Sequence, residues 1–173
     1  MVNYFELFEF PPQLTLDTAL LAERYRALQQ QYHPDRFAAA PESDRVQALQ
    51  HAAEINAAYQ TLKDGLSRAE YLLALQGWDI RGEQQTLQDT DFLMQQLEWR
   101  EELEALRQHA DPDAAIPVFE QRISSEYNRL SLQLEAAFIA ADWPLAADLI
   151  RKLKFVRKLR DELSRLEDSL MDL

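Results

Sequence analysis

The stretch QYHPDRF, residues 31–37, sets a histidine two residues from an aspartate across a proline. An imidazole beside a carboxylate is a pairing used in acid–base and nucleophilic catalysis, where the acid orients the ring and the ring takes a proton from the attacking group. That chemistry needs more than the pair. This loop holds no Ser or Thr to act as nucleophile and no glycine-rich turn to hold an oxyanion. A short connection between two helices also offers no concave pocket. The competing reading is a proline-enforced turn that leaves His33 and Asp35 in solvent, and spacing alone favours it.

Other reaction types fall to composition. The chain has no cysteine, which excludes disulfides, thiolate metal sites and a cysteine nucleophile. Its three histidines, His33, His51 and His109, show no metal-ligand spacing, so neither a metal nor a cofactor is expected. The opening MVNYFELFEF carries acids and no basic stretch, unlike a secretory signal, and no apolar run is long enough to cross a bilayer. A soluble cytoplasmic protein with no membrane contact is expected. A net charge of −12 opposes binding to nucleic acid, which rests largely on neutralising phosphates.

The elements that must position the turn are helices. Only three glycines occur in 173 residues, while Ala, Leu, Glu, Gln and Arg abound and runs of Val, Ile and Thr are missing. A short first segment, NYFELFEF, ends at Pro11 and Pro12. The second runs from about Asp17 to Tyr32, with Leu21, Tyr25, Leu28 and Tyr32 on one stripe and Arg24 and Arg26 off it. Pro34 stops it by pushing His33 out of the helical region, and a loop through PDRFAAAP follows. The third begins near Glu42, with Ser43 or Asp44 able to serve its first N–H groups. Leu49, Ala52, Ile55, Tyr59 and Leu62 form its stripe, and Lys63-Asp64-Gly65 stops it. A fourth segment closes at Gly77, and residues 77–87 are read as a linker. Beyond it, segments at about 89–109, 117–141 and 144–168 have short connections, which implies an antiparallel three-helix bundle.

The YHPD at the end of the second segment, followed some twenty residues later by INAAYQTLKDGLSRAEYLL, resembles the J-domain family. The matching residues are Tyr32, His33, Pro34 and Asp35, then Ile55-Asn56, Ala58-Tyr59, Leu62, Asp64, Arg68-Ala69 and Tyr71. The resemblance covers residues 1–76 and implies a helical hairpin with short flanking helices. It also implies that His33, Pro34 and Asp35 sit at an exposed tip and engage a DnaK-class chaperone. Arg24, Arg26 and Arg36 would supply positive charge toward it. Gln29, Gln30 and Gln31 are neutral where many relatives are basic, so electrostatic steering should be weaker.

The second half, with DTDFLMQQLEWREELE and RKLKFVRKLRDELSRLE, resembles the HscB family of iron–sulfur assembly J-proteins, in its bacterial form without an N-terminal cysteine-rich metal site. At about 100° per residue, Phe92, Trp99, Leu103 and Leu106 share one face of the fifth segment, while Leu93, Met94 and Leu97 lie away from it beside Glu98 and Glu101. An acid-rimmed apolar patch opposite the core stripe marks a partner site, the alternative being that it packs on another helix or on the N-terminal domain. On the last segment Leu149, Leu153, Val156, Leu163, Leu166 and Leu170 form the core stripe, and Phe155 stands off it amid Arg151, Lys152, Lys154, Arg157 and Lys158. That basic face reads as solvated, because a nucleic-acid surface would need more aromatics beside the charge. By resemblance, Leu93, Met94, Leu97, Glu98, Glu101 and Phe155 bind the scaffold protein IscU. Ala105 stands where the family usually has an acid. The expectation is an L-shaped, two-domain, all-α co-chaperone that is not an enzyme. It would couple an HscA-type chaperone to IscU, through a J-domain (1–76), a linker (77–87) and a client-binding bundle (88–173). The alternatives are a J-protein with a different client and, more remotely, a helical nucleic-acid binder using residues 151–160.

Overall fold

The computed structural model describes residues 3–82 and 89–172, so residues 83–87 of the expected linker at 77–87 lie outside the described residues. All regular structure among the described residues is helical. The chain divides into two compact units, Met1–Asp79 and Ile80–Leu173.

In the N-terminal unit, α1 (Tyr4–Leu7) is a single turn capped by the Asn3 side chain, and α2 spans Thr18–Gln31. Asp17 accepts the Leu20 N–H at 3.0 Å, which serves one of the donors a helix start leaves open. A 3-10 turn (Pro34–Phe37) leads to α3 (Glu42–Lys63), and α4 spans Gly65–Leu75. The expected loop at PDRFAAAP therefore contains regular structure. Two local expectations at α3 also change. Pro41 occupies its N-cap without a side-chain hydrogen bond, so neither Ser43 nor Asp44 caps it. At its other end Asp64 ends α3 in an extended conformation and accepts the Ser67 N–H at 3.0 Å, so Gly65 opens α4 rather than closing α3.

Helices α2 and α3 pair, and Leu21, Ile55, Ala58 and Leu62 are buried. Tyr25 stacks on Tyr59 at 4.0 Å, and its hydroxyl donates to Asn56 Oδ1. Leu49 is the exception to the expected stripe: it is 55% exposed, and Ala48 is buried in its place. The buried arc of α3 centres on Ile55 and Leu62, and Leu49 lies about 120° from it while Ala48 falls inside. Phe5 and Phe8 anchor α1, and the Tyr71 ring stacks on Tyr4 while its hydroxyl accepts the Tyr4 N–H. Arg68 is buried among these apolar groups. Its Nε donates to the Leu62 carbonyl at 2.8 Å and its Nη1 to the Leu14 carbonyl at 2.6 Å, tying the end of α3 to the segment before α2. Burial lowers its pKa, and Asp64 acts in the opposite direction.

The C-terminal unit holds α5 (Thr90–Leu106), α6 (Pro112–Ile139) and α7 (Trp143–Met171). Helix α6 starts five residues before Pro117, earlier than expected. Pro112 takes the first helical position behind the Asp111 cap, where its missing N–H costs nothing, and Pro117 is carried inside. Helices α6 and α7 form the main pairing, and α5 lies on both more sparsely. Between α6 and α7, Ala141 takes a left-handed conformation (φ 54°) that costs an L-residue about 1 kcal/mol. The Asp142 N–H returns to the Ala137 carbonyl at 2.9 Å and closes that turn. Ile123 and Leu130 of α6 meet a buried row on α7 that includes Leu149, Leu153, Val156, Leu163 and Leu166, while Leu170 is only partly covered.

The stripe on α3 can be tested by truncation. Leu62→Ala should cost about 2–5 kcal/mol of stability, and Leu49→Ala less than about 0.5 kcal/mol. Denaturant melts of the full chain decide between them, and equal losses would mean that Leu49 is part of the core.

Candidate functional site

Two surfaces stand out, one in each unit. The first is the turn between α2 and α3. Tyr32 caps the C-terminus of α2, and His33, next to the proline, is extended (φ −62°, ψ 134°), as a pre-proline residue should be. From there its Nδ1 accepts the Asp35 N–H at 3.2 Å, so His33 is the N-cap of the 3-10 turn that Pro34 begins. The Asp35 carboxylate stands 3.6 Å from the same nitrogen, and its side chain is 92% exposed. The imidazole thus uses Nδ1 to cap the backbone of an exposed turn. Its other partner within reach is the exposed Asp35 carboxylate. Pro34, Asp35 and Arg36 are likewise exposed.

The three arginines expected around this tip are not equivalent. Arg26 and Arg36 are exposed. Arg24 is half-buried, and its Nη1 donates to the carbonyls of Phe8 (2.7 Å) and Glu9 (3.1 Å). Its guanidinium also lies 4.6 Å from the centre of the Phe10 ring. Glu9 there holds a left-handed conformation (φ 59°), and Arg24 braces that strained turn after α1. Its charge is therefore tied to the fold. Sequence position could not reveal this, because Arg24 and Arg26 look alike beside an apolar stripe.

The second surface is the outer face of α5. Phe92, Trp99, Leu103 and Leu106 are buried, as the periodicity predicts. Met94 (58% exposed) and Leu97 (66% exposed) project away from that core, Leu93 is half-covered, and Glu98 and Glu101 are exposed beside them. Phe155, on α7, is half-buried. Its ring lies edge-on to Phe92 at 5.8 Å and parallel to Trp99 at 6.2 Å, under the Arg100 guanidinium at 5.3 Å. It thus forms the shoulder where α7 meets α5. Arg100 is held in place by Glu162.

The basic stretch of α7 serves the fold in part. Lys152 Nζ donates to Asp89 Oδ2 at 2.8 Å and lies 5.3 Å from the Phe92 ring centre. Asp89 also caps α5 by accepting the Phe92 N–H, and the Lys152 bond, then that N–H, holds its carboxyl below the usual range. Arg151 pairs with Asp148. Lys154 has its pKa lowered by burial and by Arg157. The Asp89–Lys152 tie spans 63 positions and leaves no local sequence signal. No group of three or more His, Cys, Asp or Glu side chains that could hold a metal occurs among the described residues. No helix among them is long and apolar enough to cross a membrane.

Comparison with known proteins gives a consistent pattern. Residues 3–71 match the family described as the DnaJ domain, and residues 88–164 match the one described as the HSCB C-terminal oligomerisation domain. The chain is 58% identical over 171 residues to a co-chaperone protein HscB homolog of Aeromonas salmonicida, covering 99% of each chain. It is similar to the solved structure of chaperone HscB from Vibrio cholerae, with a TM-score of 0.89, 50% identity, and coverage of 98% of this chain and 99% of that one. It also resembles the crystal structure of human co-chaperone protein HscB, with a TM-score of 0.87, 27% identity, and coverage of 96% of this chain and 82% of that one.

The difference between Arg24 and its neighbour is measurable. Arg24→Ala removes charged hydrogen bonds to two carbonyls and should lower stability by about 1–3 kcal/mol, whereas Arg26→Ala should change it by less than about 0.5 kcal/mol. Chemical denaturation of both variants checks this, and an unaffected Arg24→Ala would remove the bracing role.

Proposed function

The chain belongs to the HscB family of J-domain co-chaperones, and from that premise we propose that it stimulates the ATPase of an HscA-type DnaK-class chaperone and delivers an IscU-type scaffold protein to it, in support of iron–sulfur cluster assembly in the cytoplasm. It performs no chemistry of its own. The observation that carries this reading is the presence, in one chain, of an exposed His33-Pro34-Asp35 turn capped by its own histidine and an acid-rimmed apolar face on α5.

The two surfaces divide the work. At the turn, the Asp35 carboxylate is presented for a charge-assisted pair with an arginine of the chaperone, and Pro34 and the His33 cap fix its direction. Arg26 and Arg36 add positive charge that favours approach to an acidic surface, while Arg24 chiefly holds the unit together. Docking stabilises the chaperone state that hydrolyses ATP, which is differential binding rather than catalysis by this chain. On α5, Leu93, Met94 and Leu97 supply apolar anchors, Glu98 and Glu101 supply acceptors, and Phe155 closes one side. Carrying both surfaces on one chain raises the effective concentration of scaffold at the chaperone. A J-protein with a different client is the second reading. The acid-rimmed face, which is also the face the family resemblance assigns to IscU, favours the first.

Two variants test the halves separately. His33→Gln removes the imidazole cap from a solvent-exposed turn, so ATPase stimulation should be lost while circular dichroism and scaffold binding stay as in the parent; full stimulation by the folded variant would exclude the turn from docking. The triple change Leu93→Ala, Met94→Ala, Leu97→Ala should weaken scaffold binding by about 2 kcal/mol or more and lower the melting temperature little. Calorimetric titration beside thermal melts measures both, and a large stability loss would mean that these side chains belong to the core.

A further inference from the structure

The face on α5 does not end at its acids. Leu93, Leu97, Glu101 and Ala105 follow one another at intervals of four, so they form a single row along the helix, about 18 Å long at 1.5 Å per residue. At the end of that row Ala105 is exposed, and its small side chain opens onto a cavity between the last turn of α5 and the early turns of α6. The apolar part of the lining comes from Ala105, Leu106, Ala115, Val118 and Phe119. Leu106 and Phe119 are buried and form its floor, while Val118 is 63% exposed at its edge. The cavity volume is about 230 Å³, against roughly 30 Å³ for a water molecule in the liquid, so it has room for a large aliphatic or aromatic side chain. Glu102 and Arg122 also line it, and they pair with each other, so the polar rim presents no unpaired charge from those two.

The row is therefore bounded by an apolar feature on each side. Phe155 on α7 is the shoulder near the start of α5, and the cavity beside Val118 on α6 lies near its end. We infer that the scaffold-binding surface continues from α5 onto α6, and that the cavity beside Ala105 and Val118 receives an apolar side chain of the scaffold protein. This rests on the scaffold-binding reading of α5. Continuity selects the occupant: a partner lying along Leu93, Leu97 and Glu101 reaches Ala105 next, and its following side chain meets the cavity. A glutamate at 105 would place a charged side chain at the mouth, and a polar residue at 118 would remove the apolar edge.

The test is calorimetric titration of the full-length protein with an IscU-type scaffold protein, comparing Ala105→Glu, Val118→Ser and Leu97→Ala, with thermal melts of each. Because Ala105 and Val118 are exposed, the first two should melt like the parent and weaken binding about fivefold each, equivalent to about 1 kcal/mol, and Leu97→Ala should also weaken it. If Leu97→Ala weakens binding while Val118→Ser leaves it unchanged, the cavity is no part of the interface and the proposal fails, though the α5 face stands. Tighter binding by Ala105→Glu would likewise overturn it, since position 105 would then prefer an acid to an open cavity. If Leu97→Ala has no effect, the α5 reading itself is wrong and the cavity proposal falls with it.

Discussion

Each helix here has a limited arc to bury, and what lies beyond that arc is left to solvent or to partners. An amphipathic helix turns roughly a third of its circumference toward a core. Helices α6 and α7 bury theirs chiefly against each other, and α5 lies across them using Phe92, Trp99, Leu103 and Leu106. That stripe already satisfies α5. Met94 and Leu97 are thus surplus to folding, and their exposure is the physical basis of the second surface. The same limit explains why Leu49 of α3 faces outward although it repeats at helical spacing.

The two surfaces are held by different means. The turn at His33 is fixed locally: a proline that cannot continue a helix, a pre-proline residue forced into extended geometry, and one side-chain cap. The turn also packs against α3, Tyr32 beside it lies against His51, and its presentation depends on the α2–α3 hairpin with its Tyr25–Tyr59 stack. The α5 face depends on long-range ties. Asp89 joins the start of α5 to Lys152, Arg100 joins its middle to Glu162, and Phe155 fits between Phe92 and the Trp99 ring. A surface built this way keeps its apolar row in register with the α7 shoulder.

Charges that resemble one another in the sequence divide into two kinds in the fold. Arg24 and Arg68 use their guanidinium groups on backbone carbonyls, and each spans a gap between elements that apolar contacts alone do not close. Arg26 and Arg36 face solvent. On α7, Arg151 and Lys152 hold carboxylates of the same unit. An acidic protein with a basic stretch therefore uses part of that stretch to fasten itself.

The sequence by itself determined the helical class, the positions of most helix starts and ends, the turn at His33-Pro34-Asp35 and the two faces of α5. These follow from local physics: proline lacks a donor and restricts its predecessor, Asp17, Asp89 and Asp142 cap the turns they precede, and apolar residues recur every three or four positions. The start of α6 behind Asp111 was a local signal that the pattern around Pro117 masked, and elsewhere a neighbour distant in sequence decided the outcome. Leu49 and Ala48 are adjacent in sequence, and the arc of α3 that its packed neighbours cover takes in Ala48 and leaves Leu49 outside. Arg24 and Arg26 are two residues apart, and only the return of the chain after α1 places carbonyls within reach of Arg24. The cavity beside Ala105 and Val118 belongs to two helices at once. Its existence depends on how far apart α5 and α6 pack, a distance set by side-chain volumes across the whole bundle, and for that reason no single stretch of sequence encodes it.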